Sequence, residues 1–165
     1  MLFRSPQALA LMSEFRRPVV IHQSGAKQID ALRAAYEEAD VQATLTPFIE
    51  DTAQAFAHAD VVIARAGAST VTELAAIGVA AIYVPFPHAV DDHQTTNAKF
   101  VVDAGGGWLV PQAELTAQGL ADLLQTLTRE KLLEVAEKAY AIRKTDATEK
   151  TVAICEQLTH LRGVA

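Results

Sequence analysis

What most constrains this chain is a change of apolar period that repeats along its length. Short β-branched runs alternate with stretches whose apolar residues recur every three or four positions. Residues 19–23, 41–45, 61–64, 80–84 and 108–110 read as strands. Helices are expected over residues 28–39, with Ile29, Leu32, Ala35 and Tyr36 inward, and over 51–58, with Ala53, Phe56 and Ala57 inward. Further helices are expected over about 70–77 and from His93 or Gln94 to Ala104, where Gly105-Gly106-Gly107 ends the run. Asp51, Thr116, Thr128 and Asp146 stand where N-caps are wanted, and Gly78 where a helix closes in a left-handed residue. Asp146-Ala147-Thr148-Glu149 has capping-box spacing, and Thr151, Ile154, Leu158 and Leu161 form one stripe of the last helix. Strand–helix alternation of this kind predicts an α/β fold, a Rossmann-like parallel sheet with helices on both faces, in a single domain over residues 1–165.

One expected part is missing. Doubly wound nucleotide-binding domains open with a strand and a Gly-rich phosphate turn. This chain opens with Ser5-Pro6, a helix start, followed by Ala8, Leu9, Leu11, Met12 and Phe15 at helical spacing. The first strand and its turn are expected to be absent. In the usual strand order that strand lies between residues 19–23 and 61–64, so two edges are left unpaired; they can close on each other, take an exchanged segment from a second copy, or leave the core loosened, and of these a strand-exchanged homodimer is expected.

Composition narrows the partners. A net charge of −6 argues against nucleic acid, which needs clustered Lys and Arg, but not against a nucleotide whose phosphates are held by backbone N–H groups. The single cysteine, Cys155, cannot form an internal disulfide, which fits a reducing compartment. No apolar run approaches the roughly 18 residues of a spanning helix, and the first residues lack the shape of a signal peptide. A cytoplasmic domain is expected.

Ligands of such sheets bind outside the carboxyl ends of the strands. Three polar segments fall there. Gly67-Ala68-Ser69-Thr70-Val71-Thr72-Glu73 follows a strand and opens a helix, so N–H groups of Ala68, Ser69 and Thr70 can face a phosphate while Glu73 accepts from a ribose diol. The same residues Thr70 to Glu73 also read as a capping box that serves stability alone. His88-Ala89-Val90-Asp91-Asp92-His93-Gln94-Thr95-Thr96-Asn97 reads as a solvated loop with a capped helix, as a sugar clamp, or as a metal site, although its spacing is not that of a helical zinc motif. Pro47-Phe48-Ile49-Glu50-Asp51 is either a connection with Phe48 in the core or an extended backbone that pairs with a base edge. His22-Gln23-Ser24-Gly25 ends the first strand and stays undecided between a crevice lining and an ordinary surface loop.

Residues 19–161 resemble the C-terminal domain of the MurG family, UDP-N-acetylglucosamine transferases that convert lipid I to lipid II in peptidoglycan synthesis. The strings that carry the resemblance are His22-Gln23-Ser24-Gly25, Phe48-Ile49-Glu50-Asp51, Ala59-Asp60-Val61-Val62, the turn from Gly67 to Glu73, Pro85-Phe86 and His93-Gln94-Thr95-Thr96-Asn97-Ala98. The resemblance implies the C-terminal, donor-binding half of a GT-B glycosyltransferase. In it, Ile49 would offer its backbone to uracil, and Ala68, Ser69 and Thr70 would hold the nucleotide at its diphosphate. Glu73 would take the ribose hydroxyls, and His93 and Gln94 the N-acetylglucosamine hydroxyls; His93 departs from the Gln-Gln pair common in the family. It further implies no metal and no cofactor in this half, and an inverting displacement at the anomeric carbon in the whole enzyme. The acceptor lipid I, the membrane contact on the cytoplasmic face and the proposed catalytic base belong to the other domain, so this half would be inactive alone. Two alternatives remain open: a stand-alone donor-binding subunit of a two-chain transferase, and a non-enzymatic nucleotide-binding module.

Overall fold

The structure, a computed structural model, describes residues 4–87 and 90–162. Among the described residues five short strands and eight α-helices alternate as far as β5, after which three helices follow in succession: α1 Arg4–Ala10, β1 Ile21–Gln23, α2 Ile29–Glu38, β2 Thr44–Thr46, α3 Thr52–Ala57, β3 Val61–Ala64, α4 Ala68–Ile77, β4 Ala80–Tyr83, α5 His93–Val102, β5 Gly107–Leu109, α6 Ala117–Thr126, α7 Arg129–Ala141 and α8 Ala147–Arg162. All strand pairs are parallel, as expected for strands joined by helical crossovers.

Every residue of β4 is buried, and its alternating side chains feed two cores. Ile82 and Val84 join Ala8, Leu9, Met12, Leu32, Tyr36, Leu120 and Ala121 beneath α1, α2 and α6. Ala81 and Tyr83 join Val71, Leu74, Ala98, Val101 and Ala139 beneath α4, α5 and α7. Helices therefore cover both faces, which is why β4 is apolar throughout rather than alternating.

The sheet is in two pieces. β1 pairs with β2, and β3-β4-β5 forms a separate ladder. Val20, Leu45, Val61 and Ile63 nevertheless pack on one shared core, so the two pieces are layers of one body. Thr44 N–H donates to Val20 O and Ser24 N–H to Thr46 O, so the even-numbered residues of β1 face β2. Val84 N–H donates to Ala64 O, so the even-numbered residues of β3 face β4. The backbone groups of Ile21 and Gln23, and those of Val61 and Ile63, point to the opposite edges, which no strand covers among the described residues. The expected break between these strands is present, and the two edges have not closed on each other.

Several expectations need correction. α1 ends at Ala10, and Phe15 lies in a separate 3₁₀ turn with its ring fully exposed, because the helical spacing does not continue through Ser13. Ala53 and Ala57 of α3 are exposed and only Ala55 and Phe56 are half-buried, since this two-turn helix touches the body along a narrow line. Ile154 and Leu158 of α8 are each 56% exposed and Thr151 is exposed, so these three residues of the stripe cover no core; the side chain of Leu161 lies outside the described ones. Asp51, Thr116 and Thr128 do cap α3, α6 and α7, accepting from Gln54, Gly119 and Lys131 N–H. Gly78 closes α4 at φ +78.

Candidate functional site

Within each ladder the parallel strands place the loops that follow them at one end, those after β1 and β2 together and those after β3, β4 and β5 together. The turn after β3 is the sharpest. α4 begins at Ala68, two residues earlier than expected, and its N-cap is Gly67, which offers no side-chain acceptor. The first intrahelical bond is Val71 N–H to Gly67 O at 3.0 Å. The N–H groups of Ala68, Ser69 and Thr70 therefore have no helical partner, and the helix dipole adds partial positive charge where they point. Ala68 and Ser69 are exposed, so an anion can reach them.

This start removes the capping-box reading. Thr70 is the third helical residue rather than the cap, and Thr72 Oγ1 donates back to Ala68 O at 2.9 Å instead of capping anything. Glu73 lies in the second turn, exposed, and makes no hydrogen bond or ion pair among the described residues. Nothing in the fold uses its carboxylate.

The loop after β2 carries Phe48 and Ile49. Phe48 is 66% exposed, so it is not a core residue. Thr46 Oγ1 donates to Phe48 O at 2.7 Å and receives Phe48 N–H at 3.3 Å, which folds the segment over the strand end. Ile49 N–H donates to Gln23 Oε1 at 2.7 Å, so the loop after β1 supports the loop after β2. The carbonyl of Ile49 is left available. Beside them, His22 Nδ1 and the Tyr36 hydroxyl are hydrogen-bonded at 3.0 Å. Burial lowers the His22 pKa and pushes Tyr36 up to about 12.

The loop after β4 leads into α5. His88 and Ala89 lie outside the described residues. Asp91 and Asp92 take left-handed conformations, φ 54 and 50, and Asp92 Oδ1 accepts from Thr95 Oγ1 at 2.6 Å. His93 is exposed at the first position of α5. Gln94 Oε1 accepts Phe86 N–H at 3.0 Å, which fixes the carboxamide and leaves its NH₂ to donate. Asn97 Nδ2 donates to Ala66 O at 3.1 Å, tying α5 to the turn that starts α4. The segments of Glu73 and Gln94 are thereby brought together. The Ile49 segment leads into α3, which packs against α4. Arg65, read from sequence only as part of a turn, and Gln112, which no sequence signal marks, are polar residues of this end that the motifs did not reveal.

Fold and loops together define an α/β domain of the doubly wound type, with its polar segments following the strands of parallel ladders. The chain belongs to the glycosyltransferase family 28 C-terminal domain, whose family model matches residues 6–156. It is 65% identical over 153 residues to the UDP-N-acetylglucosamine–N-acetylmuramyl-(pentapeptide) pyrophosphoryl-undecaprenol N-acetylglucosamine transferase of Acidovorax sp. (strain JS42), covering 93% of this chain and 38% of that protein. The enzyme of the same name from Paracidovorax citrulli is 65% identical over 154 residues, covering 93% and 43%. Among solved structures, Acinetobacter baumannii MurG superposes with a TM-score of 0.86 at 40% identity, covering 94% of this chain and 48% of that one. The glycosyltransferase VinC, solved with dTDP, superposes with a TM-score of 0.67 at 18% identity, covering 95% and 38%, and shares the fold. The chain thus spans about two-fifths of the length of the curated relatives it matches. No helix among the described residues is long and apolar enough to cross a membrane.

Proposed function

We propose that this chain is the donor-binding part of an inverting UDP-N-acetylglucosamine transferase that makes lipid II from lipid I. The observation that carries the reading is the start of α4. Three N–H groups without helical partners, at residues 68–70, stand one turn from an exposed carboxylate, Glu73, that the fold does not use. A diphosphate satisfies the first and a ribose diol the second. Phe48 and the Ile49 carbonyl suit a uracil ring and its N3–H, and His93 and the Gln94 NH₂ suit the sugar hydroxyls. No metal or cofactor is required, because the helix start itself opposes the charge that grows on the departing diphosphate.

In the reaction, the 4-hydroxyl of the muramyl sugar attacks the anomeric carbon, the bond to UDP breaks, and the configuration inverts. The acceptor site, the base that takes the hydroxyl proton and the contact with the cytoplasmic face of the membrane belong to the remainder of the relatives' length. The uncovered edges of β1 and β3 suit an extended segment between them; in the 165-residue chain alone, a second copy supplies it by exchange.

Calorimetry of the chain with UDP and UDP-N-acetylglucosamine, and turnover of lipid I, test the reading. Binding of both nucleotides without turnover is expected. Absence of UDP binding, or turnover by this chain alone, would refute it.

A further inference from the structure

One cation joins the loops that leave β3, β4 and β5. The Arg65 guanidinium donates through Nη1 to the carbonyls of Val84 at 3.1 Å and Pro85 at 2.8 Å, and through Nη2 to Gln112 Oε1. Its Cζ lies 5.3 Å from the centre of the Phe86 ring. Among the described residues no carboxylate pairs with it, and partial burial lowers its pKa. A charge placed partly out of water without a counter-ion is a cost to the fold, which its three hydrogen bonds offset. The planar fork with several fixed donors matches this set of acceptors and the ring face together, which an ammonium group cannot do.

The segment that Arg65 holds is the one that sets the sugar-facing groups. Phe86, beside the two carbonyls and under the guanidinium, gives its N–H to Gln94 Oε1. Asn97, one helical turn on, returns to Ala66 O, next to Arg65. The bonds form a loop of contacts from the start of α4 through Arg65, Pro85-Phe86 and Gln94 to Asn97 and back. We infer that Arg65 is a positioning residue of the donor site: it holds Pro85-Phe86, and through them the Gln94 carboxamide, in fixed relation to the phosphate-facing start of α4. The sugar is then read at a set distance from the diphosphate. This rests on the donor-site reading above.

If Arg65 only fastened strand ends, its loss would weaken every ligand alike or none. If it acts through Phe86 and Gln94, its loss weakens the sugar nucleotide and spares UDP. Calorimetry with UDP and UDP-N-acetylglucosamine on the wild type, Arg65→Gln, Arg65→Lys, Gln94→Ala and the double variant Arg65→Gln/Gln94→Ala separates the two. UDP affinity is expected to stay within about twofold, while UDP-N-acetylglucosamine binds about five- to twentyfold more weakly in both Arg65 variants. The double variant should be within about twofold of Gln94→Ala, since the two residues act in one chain of contacts. Equal weakening of both nucleotides, or additive losses in the double variant, would overturn the inference. Should the Arg65 variants not fold, Gln112→Ala removes a single acceptor; a loss of about two- to fivefold confined to the sugar nucleotide supports the inference, and no change overturns it. A wild type that binds neither nucleotide sinks the donor-site reading and this inference with it, whereas the other failures sink only the role of Arg65.

Discussion

Gln23 Oε1 accepts the backbone N–H of Ile49 at 2.7 Å, across 26 residues of chain and between the loops after β1 and β2. The bond takes the one backbone donor of Ile49 and leaves its carbonyl, the group proposed to meet the base. Gln23→Ala frees the N–H and lets the segment of exposed Phe48 and half-buried Ile49 drift. UDP affinity is expected to fall about three- to tenfold, the scale of one neutral hydrogen bond. Calorimetry with UDP and with inorganic diphosphate checks it: diphosphate binding should not change. An equal loss for diphosphate would mean that the substitution disturbed the phosphate end, and the uracil assignment of Ile49 would fail.

Glu73 is exposed and unbonded, and Gly67 rather than Thr70 caps its helix. Glu73→Ala should therefore change stability by less than about 0.5 kcal/mol, as surface substitutions do. Donor affinity should fall at least about tenfold, because a charged hydrogen bond contributes about 1.5–3 kcal/mol. Urea denaturation and calorimetry on the same samples give both numbers. A destabilised variant with unchanged affinity would return Glu73 to a structural role.

Much of this arrangement was legible in the residues, and the misses have physical causes. Strand and helix order followed from period alone, because β-branched runs and three-to-four spacing differ sharply in this chain. The three polar segments were legible because each directly follows a strand run, where the loops of an α/β sheet fall. Arg65 was not, since its partners are backbone carbonyls of Val84 and Pro85, which carry no sequence signal. Phe48 was open to a core reading because ring burial depends on tertiary cover that local pattern does not encode. The triple glycine was read as a helix stop, but its middle residue is also a packing requirement. A Cβ on Gly106 would lie 2.7 Å from Val101 Cγ1 and 2.8 Å from Ala139 Cα. Gly106→Ala should cost about 1–3 kcal/mol, the scale of overpacking a core. Thermal unfolding that leaves the midpoint unchanged would show that α7 yields without strain.

The His22–Tyr36 pair predicts how stability varies with pH. His22 has a folded pKa below its ordinary 6.5, so the unfolded chain binds the proton more readily. Its contribution is present above pH 6.5 and is lost as pH falls below that value. Tyr36 and Tyr83 are pushed up to about 12 from 10.0, so their contributions hold below pH 10 and are lost as pH rises toward 12. Denaturation midpoints should form a plateau between these limits. Tyr36→Phe and Tyr83→Phe should each flatten the alkaline limb, and a limb unchanged in both would contradict the burial assigned to the phenols.

The break in the sheet makes a prediction residue by residue. In β1 the N–H of His22 faces β2, and in β3 the N–H groups of Val62 and Ala64 face β4. The N–H groups of Ile21, Gln23, Val61 and Ile63 face the uncovered edges. At low concentration, amide exchange should follow that alternation, slow at even positions and fast at odd ones, because only ladder-bonded amides are shielded. If a second copy fills the slot, the odd positions become protected as concentration rises, and light scattering reports a dimer over the same range. Protection of the odd positions that is strong at every concentration, in a monomer, would mean that β1 and β3 pair directly, and the exchange proposal would fall. Fast exchange at odd positions in a monomer at all concentrations would leave the gap open and remove the second copy from it. The alternation itself is a parity effect: a one-residue slip in either strand would invert it, so the same measurement also checks the register of Ile21 with Thr44 and of Val61 with Ala80.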